Sequence, residues 1–256
     1  MKLALIASFI IATFAAQCAR AAEAPDTITT VSAGVAVLPE YMGAEKRRVL
    51  PVLLVDYQNK NGFFISSLRG LGYRDKVDGV DWSAAVAWTG YREDHRRTIF
   101  GSDALKGMGR IDGGLTAKLG AGYHLGPVEL AVDTELAISN RERGNNVGLS
   151  ASVPLMTDKS DTVALSTAIK YADRKQMQTY YGVTAAQSAR SGYAAYTPKA
   201  GVSEVSVGGN WTHVIDAKWS VRSVAGVTRL GGDAASSPLT KHRNNPFLAS
   251  TVNYSF

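Results

Sequence analysis

The side chains able to do acid–base or metal chemistry are few and scattered. Four histidines are present, His95, His124, His213 and His242, together with one cysteine, Cys18. None stands in an H-x-E, H-E-x-x-H or paired-cysteine spacing, so neither a metal set nor a cofactor is expected. His124 has acids close in sequence: Glu129 lies across a Gly126-Pro127 turn, and Asp133 follows. A His–carboxylate pair can act as a general base and its orienting group. It serves equally in a satisfied polar network, and no Ser/His/acid set assembles around it. No catalytic residue is assigned, and an enzyme is not expected.

The elements that would carry these groups are legible from period-two alternation. In 115–125, Leu115, Ala117, Leu119, Ala121, Tyr123 and Leu125 alternate with Thr116, Lys118, Gly120, Gly122 and His124. In 128–138, Val128, Leu130, Val132, Leu136 and Ile138 alternate with Glu129, Asp133 and Glu135. Segments 147–155 and 163–171 repeat the pattern, with Lys170 on the polar face of the second. These runs are about nine to twelve residues long, the length of a tilted bilayer-crossing strand, whereas soluble strands average ~5–6. Charges on the polar faces belong in a wet lumen rather than a dry core. Lys118, His124, Glu129, Asp133, Glu135, Lys170 and Arg222 are therefore expected to point into a lumen.

The last residues fit the same architecture. Leu248, Ser250, Val252, Tyr254 and Phe256 share one face of an alternating stretch that ends in an aromatic residue. That is the pattern of the closing strand of an outer-membrane barrel. Tyr254 and Phe256 are read as a periplasmic anchor and as the signal for the barrel-assembly machinery. Further, less regular strands are expected at 27–37, 49–58, 62–73, 80–91, 203–215 and 218–230. With 246–256 these bring the number to eleven, yet single-chain bacterial barrels use even numbers and leave no open edge in lipid. The missing strand is expected in 92–112, giving twelve; one strand fewer within 62–91 would give ten. Long connections at 38–48, 92–112, 173–202 and 231–245 are assigned outside, and short turns to the periplasm. The fold class is an all-β, antiparallel transmembrane barrel in the outer membrane of a Gram-negative bacterium.

The N-terminus agrees. Met1-Lys2 leads into an apolar run from Leu3 to Ala16, broken only by Ser8 and Thr13 and followed by Ala19-Arg20-Ala21. This reads as a signal peptide over 1–21, with the barrel over 22–256. A cysteine after such a run can mark a lipoprotein, but Gln17 occupies the position where a small residue is needed. Cys18 then leaves with the peptide, and disulfide or thiol chemistry leaves with it. Lys and Arg number 28 against 22 Asp and Glu. This modest excess comes with no zinc knuckle or basic aromatic-laced tract, so nucleic acid is not an expected partner. The clusters Lys46-Arg47-Arg48 and Arg92 to Arg97 are solvated loop or contacts to anionic lipid and lipopolysaccharide. Trp82, Trp88, Trp211 and Trp219 lie near strand ends, where an indole anchors at the headgroups.

Segment 173–202 is long, aromatic and basic, with Tyr180, Tyr181, Tyr193, Tyr196, Arg174, Lys175, Arg190 and Lys199 among small residues. A connection of that length is functional or disordered. Its stretch from Tyr180 to Gly192 resembles the Y-F-G-V-T-x-x-Q-S-A-x-S-G block of the MipA/OmpV family, with Tyr181 in place of Phe. Tyr180, Tyr181, Gly182, Gln187 and Ser188 are the matched positions taken as its motif. Leu38 to Ala44, Arg48 to Pro51, Leu68 to Gly72 and Leu230 to Pro238 are similar to further blocks of that family, in order. The resemblance implies an outer-membrane barrel. For some members it also implies a scaffold that joins a murein lytic transglycosylase to a penicillin-binding protein. A porin-like channel, and a surface adhesin using 173–202, are the alternatives.

Overall fold

The computed structural model describes residues 27–96, 98 and 100–256. Segment 1–21, expected to be a signal peptide, and Cys18 with it lie outside the described residues. Twelve antiparallel strands close into a barrel in which each strand pairs with its sequence neighbours and the last pairs with the first. They are β1 Thr27–Pro39, β2 Arg47–Asn59, β3 Phe63–Ser66, β4 Gly70–Val77, β5 Val80–Thr89, β6 Gly114–Leu125, β7 Val128–Ala137, β8 Asn146–Thr157, β9 Asp161–Ala172, β10 Gly201–Val214, β11 Trp219–Leu230 and β12 Asn244–Ser255. Closure joins Thr30 to Ser255 and Val37 to Leu248 in register. Closure leaves no strand of the twelve without a neighbour on each side for at least part of its length, as a hydrocarbon solvent favours.

The alternation sets the faces as expected. Val49, Leu53, Leu119, Leu149, Ile169, Val207 and Leu248 are exposed on the outer surface. In water this would be an aggregation hazard; in a bilayer it is the lipid-facing band. Trp82, Trp88, Trp211 and Trp219 are exposed with them. No helix among the described residues is long and apolar enough to cross a membrane.

The twelfth strand is not where the sequence reading placed it. Among the described residues of 92–112, strand pairing is limited to isolated bridges, Arg92 to Ile111 and Glu93 to Gly101. Instead, the expected strand 62–73 is two strands, β3 and β4, joined by a turn at 67–69. The alternation there is broken by Ser66, Ser67 and Gly70, and the available signal was further on. Asp78 and Gly79 both have positive φ, 51° and 84°. That is the Asp-Gly hairpin turn between Val77 and Val80, and it requires a strand immediately before it.

Two bulges account for the weaker alternation elsewhere. The β8 register shifts between Pro154 and Met156, leaving Leu155 and Met156 both exposed. The β10 register shifts between Val202 and Glu204. A bulge adds one residue and resets which face the following side chains take.

Five short connections lie at one end, at 60–62, 78–79, 126–127, 158–160 and 215–218, and of the short turns only 67–69 lies at the other among the described residues. The long connections lie at the other, which places it outside the cell. Segment 173–202 is folded there: α1 Arg174–Tyr181 and α2 Ala185–Ser191 lie within it, and α3 Gly232–Ala235 lies in the last long connection. Asp173 caps α1 by accepting the Gln176 N–H at 2.8 Å, and it also accepts the Asn145 N–H at 2.9 Å. Thr184 and Gln187 form a reciprocal capping box on α2, which Gly192 ends with φ 77°.

Candidate functional site: a two-faced lumen under a folded cap

The long connections pack on one another rather than lying loose. Tyr41, Ala44, Leu105, Met108, Val183 and Leu239 form one apolar cluster. Ala172, Met177, Tyr181, Leu230 and Ala234 form a second. Hydrogen bonds cross between the connections. Tyr41 Oη donates to the Leu239 carbonyl at 3.1 Å, Ser237 Oγ to Tyr181 at 2.6 Å, and Tyr193 Oη to Ala104 at 2.7 Å. Burial, with Tyr193 nearby, pushes the Tyr41 phenol up to about 12, so it remains a donor.

The motif positions serve this cap. Tyr181 is buried in the second cluster, and Tyr180 packs against it. The Gly182 backbone passes so close to Gln178 that a Cβ would collide with its side chain. Gln187 completes the α2 capping box, and its Nε2 donates to the Met108 carbonyl at 2.7 Å. The Ser188 N–H closes the first turn of α2 onto Thr184. Arg92 is half-buried over the Tyr180 ring and donates to the Tyr180 carbonyl. Burial lowers its guanidinium from the usual range, against the opposing pull of Tyr180, Tyr41, Tyr181 and Asp94. Asp94 accepts the N–H groups of Gly107 and Gly109 at 3.1 and 2.9 Å and sits 2.7 Å from His95 Nδ1.

Beneath the cap the lumen has two unlike walls. On β6, β7, β9 and β10, Lys118 Nζ lies 3.2 Å from Glu135 Oε1, and Lys170 Nζ lies 2.6 Å from Glu204 Oε1. Asn146 donates to Glu135 at 3.2 Å, and Asp133 stands opposite Gly148 in the same layer. Arg222 lies on the lumen face of β11, between Thr212 and Thr251. Glu204 was not among the residues singled out from sequence. The bulge before it hides its parity, and it is the closest ionic partner of Lys170. On β1, β2 and β12 the lumen wall carries an apolar patch toward the cap: Ala36, Leu38 and Leu50 are buried with Val52, Phe247 and Ala249 against them, while Ser32, Thr251 and Asn253 are buried nearer the periplasmic end.

His124 and Glu129 are register partners, but the carboxylate nearest the imidazole belongs to Asp81 of β5, 3.7 Å from Nδ1. The two side chains are half exposed near the periplasmic end, far along the strands from the buried ion pairs. His213 and Trp211 share another acid on the outer surface. Asp161 Oδ1 is 2.9 Å from His213 Nδ1 and 2.7 Å from Trp211 Nε1. Among the described residues, no three His, Cys, Asp or Glu side chains gather as a metal site. At the periplasmic rim Tyr254 meets Trp219 and Phe256, each at 4.8 Å between ring centroids. The Phe256 N–H bonds the Thr29 carbonyl at 3.0 Å. At the opposite rim, Pro39, Ala44, Arg47, His242 and Pro246 line a small cleft of about 100 Å³.

The family model of MltA-interacting protein MipA matches residues 31–256, nearly the whole barrel and cap. The chain belongs to this family. It is 26% identical over 200 residues to the outer membrane protein OmpV of Vibrio cholerae serotype O1, covering 75% of this chain and 74% of OmpV. Among solved structures, it is similar to the COG4313 outer membrane channel from Pseudomonas putida F1, at 12% identity and TM-score 0.43. That match covers 90% of this chain and 95% of the channel. Another is Pseudomonas putida OprB, at 12% identity and TM-score 0.38, covering 81% of this chain and 59% of OprB. The protein is an outer-membrane β-barrel of the MipA/OmpV family.

Proposed function

We propose that this barrel is a non-enzymatic solute-handling protein, which holds or passes a small solute in its lumen beneath the cap. The carrying observation is the lumen itself: the ion pairs Lys118–Glu135 and Lys170–Glu204 face one side, and Ala36, Leu38, Leu50 and Phe247 face the other. A barrel serving only as a passive anchor has no need of such a contrast. Both signs of charge are present, so ion selectivity is weak. The cap limits flow, so conductance is small and intermittent. Reconstitution in planar bilayers and liposome swelling test this. Small conductance steps that grow when 174–191 is replaced by a short linker are expected. Silence in both forms would overturn the reading.

The scaffold reading keeps one support, the description of the family as MltA-interacting. Under it, a murein lytic transglycosylase and a penicillin-binding protein would dock on the periplasmic rim. The turns there are short, and a standard interface takes ~800 Å² from each partner, so the contact would be weak. Pull-down of murein enzymes from solubilised membranes tests it, and no enrichment over an unrelated barrel counts against it. An adhesin role would use the exposed cap residues Arg174, Lys175 and Arg190. Lys46, Arg47, Lys241 and Arg243 at the same rim suit the phosphates of lipopolysaccharide. Delivery is by the barrel-assembly machinery reading the terminal aromatic strand, after loss of a signal peptide over 1–21.

A further inference from the structure

The barrel wall is not of even height. β3 has four residues and β4 eight, between neighbours of thirteen and ten. β2 pairs with β3 only at Asp56, Tyr57 and Gln58. β5 pairs with β4 only as far as Val86. Among the described residues, Arg47–Leu54 of β2 and Ala87–Thr89 of β5 therefore have a ladder partner on one side alone. At ~3.3 Å per residue, the β2 edge runs about 26 Å along the strand. It lies in the extracellular half of the wall.

The edge is chemically suited to standing alone. The Val55 N–H donates to Ser67 Oγ at 2.9 Å, and its carbonyl accepts the Ser67 N–H at 2.9 Å. Val55 thus turns its backbone groups toward the hairpin, and by the two-residue period Leu53, Pro51 and Val49 turn theirs the same way. Pro51 has no N–H to lose on that side. Proline at such a position marks a strand edge and discourages another strand from adding to it.

The surroundings give the gap a frame. Its sill is the 67–69 turn, where Arg69 Nη2 lies 2.8 and 3.0 Å from the two Asp56 oxygens and its guanidinium lies 4.3 Å from the Phe64 ring centre. Lys118 Nζ holds the Leu68 carbonyl at 3.1 Å, tying the sill to the charged wall. Above the gap, the connection from β5 reaches β1 and β2: Arg48 Nη2 donates to Gly101 at 2.8 Å, and Ser102 Oγ to Glu40 at 2.6 Å. On the lumen side the gap opens beside the apolar wall of Leu50 and Val52. On the lipid side stand Val49, Leu53, Val86 and Trp88. With the outer mouth under a packed cap, this is the apolar way out.

We propose that the gap between β2 and β5 is a lateral port through which single-chain amphiphiles pass between the outer leaflet and the lumen. The apolar body slides along Leu50, Val52 and Leu54, and the polar head crosses at the Arg69–Asp56 sill. The proposal rests on the solute-handling reading and names its substrate class and route.

The test uses the full-length chain with Cys18→Ser, in nanodiscs. Cis-parinaric acid, a fluorescent single-chain fatty acid, is the probe. Wild type is expected to bind it saturably. Val52→Trp should weaken binding tenfold or more, while Ala131→Trp on the charged wall should change it less than twofold. In parallel, Val52→Cys should react faster with an acyl-chain maleimide dissolved in the bilayer than with a charged maleimide added outside. Equal loss in both Trp variants, or faster labelling from water, overturns the port while leaving a lumen that binds solute. No saturable binding by folded wild type overturns the port, and bilayer conductance then judges the solute-handling reading separately. Disulfide-linked dimers through Leu53→Cys would mean that a second copy covers the edge, and would also overturn the port.

Discussion

Lys170 and Glu204 meet across β9 and β10 with 2.6 Å between Nζ and Oε1, and their side chains are only 16% and 7% exposed. Removing one partner leaves the other buried and unpaired, which costs about 3–5 kcal/mol, whereas an apolar pair of similar volume can be neutral. Glu204→Ala is expected to lower the temperature at which the folded band is lost in heat-modifiability gels. Lys170→Met with Glu204→Leu should recover most of that loss. A double variant no better than the single one would show that the pair is not the relevant unit.

The cap should loosen in acid through Asp94. Its burial raises the carboxyl pKa, but the N–H groups of Gly109 and Gly107 and the adjacent His95 outweigh that and hold it below the ordinary value of 3.8. A depressed folded value means the stabilisation is complete above the ordinary value and is lost as pH falls through the folded one. Exchange at the Gly107 and Gly109 amides, corrected for intrinsic rate, is expected to be well protected above the ordinary carboxylate value and to lose protection as the pH falls below it. Asp94→Asn should remove the pH dependence. Unchanged protection across that range would contradict the assignment.

The first helix of the cap depends on a glycine and an aspartate together. Gly144 has φ 70°, and a Cβ there would run into the Gln176 backbone and the Asp173 carboxylate. Asp173→Ala should cost roughly 1 kcal/mol, the worth of an N-cap. Gly144→Ala should cost more, because it adds the left-handed conformation to the clash. Trypsin cleavage at Arg174 and Lys175 in intact cells reports both, with the expected order of sensitivity Gly144→Ala, Asp173→Ala, wild type. The reverse order would refute the steric argument.

At the periplasmic rim, deletion of Phe256 removes a ring contact to Tyr254 and a backbone bond to Thr29. The deletion variant is expected to accumulate unfolded in the periplasm, while His124→Ala inserts normally. His124 and Asp81 are half exposed, and such pairs contribute about 0–1 kcal/mol. A normal yield of heat-modifiable protein from the deletion would sink the assembly role.

The period of the side chains is a local property, so the sequence alone determined the outer and lumen faces of β6, β7 and β9 and the medium they face. It also set Lys118, Glu135 and Lys170 on the polar faces of their strands. Strand pairing is not local. That Lys170 meets Glu204 depends on a bulge that resets parity after Val202, and that His124 approaches Asp81 depends on the stagger between β5 and β6. The twelfth strand was hidden because four residues, Phe63–Ser66, carry too short a pattern to read. Only closure shows that the wall is low there. The cap was legible as unusual composition in 173–202 but not as a fold, because its apolar residues find their partners in three other connections. Tertiary structure decided what neighbours each face, because barrel closure fixes every register at once and no single strand encodes it.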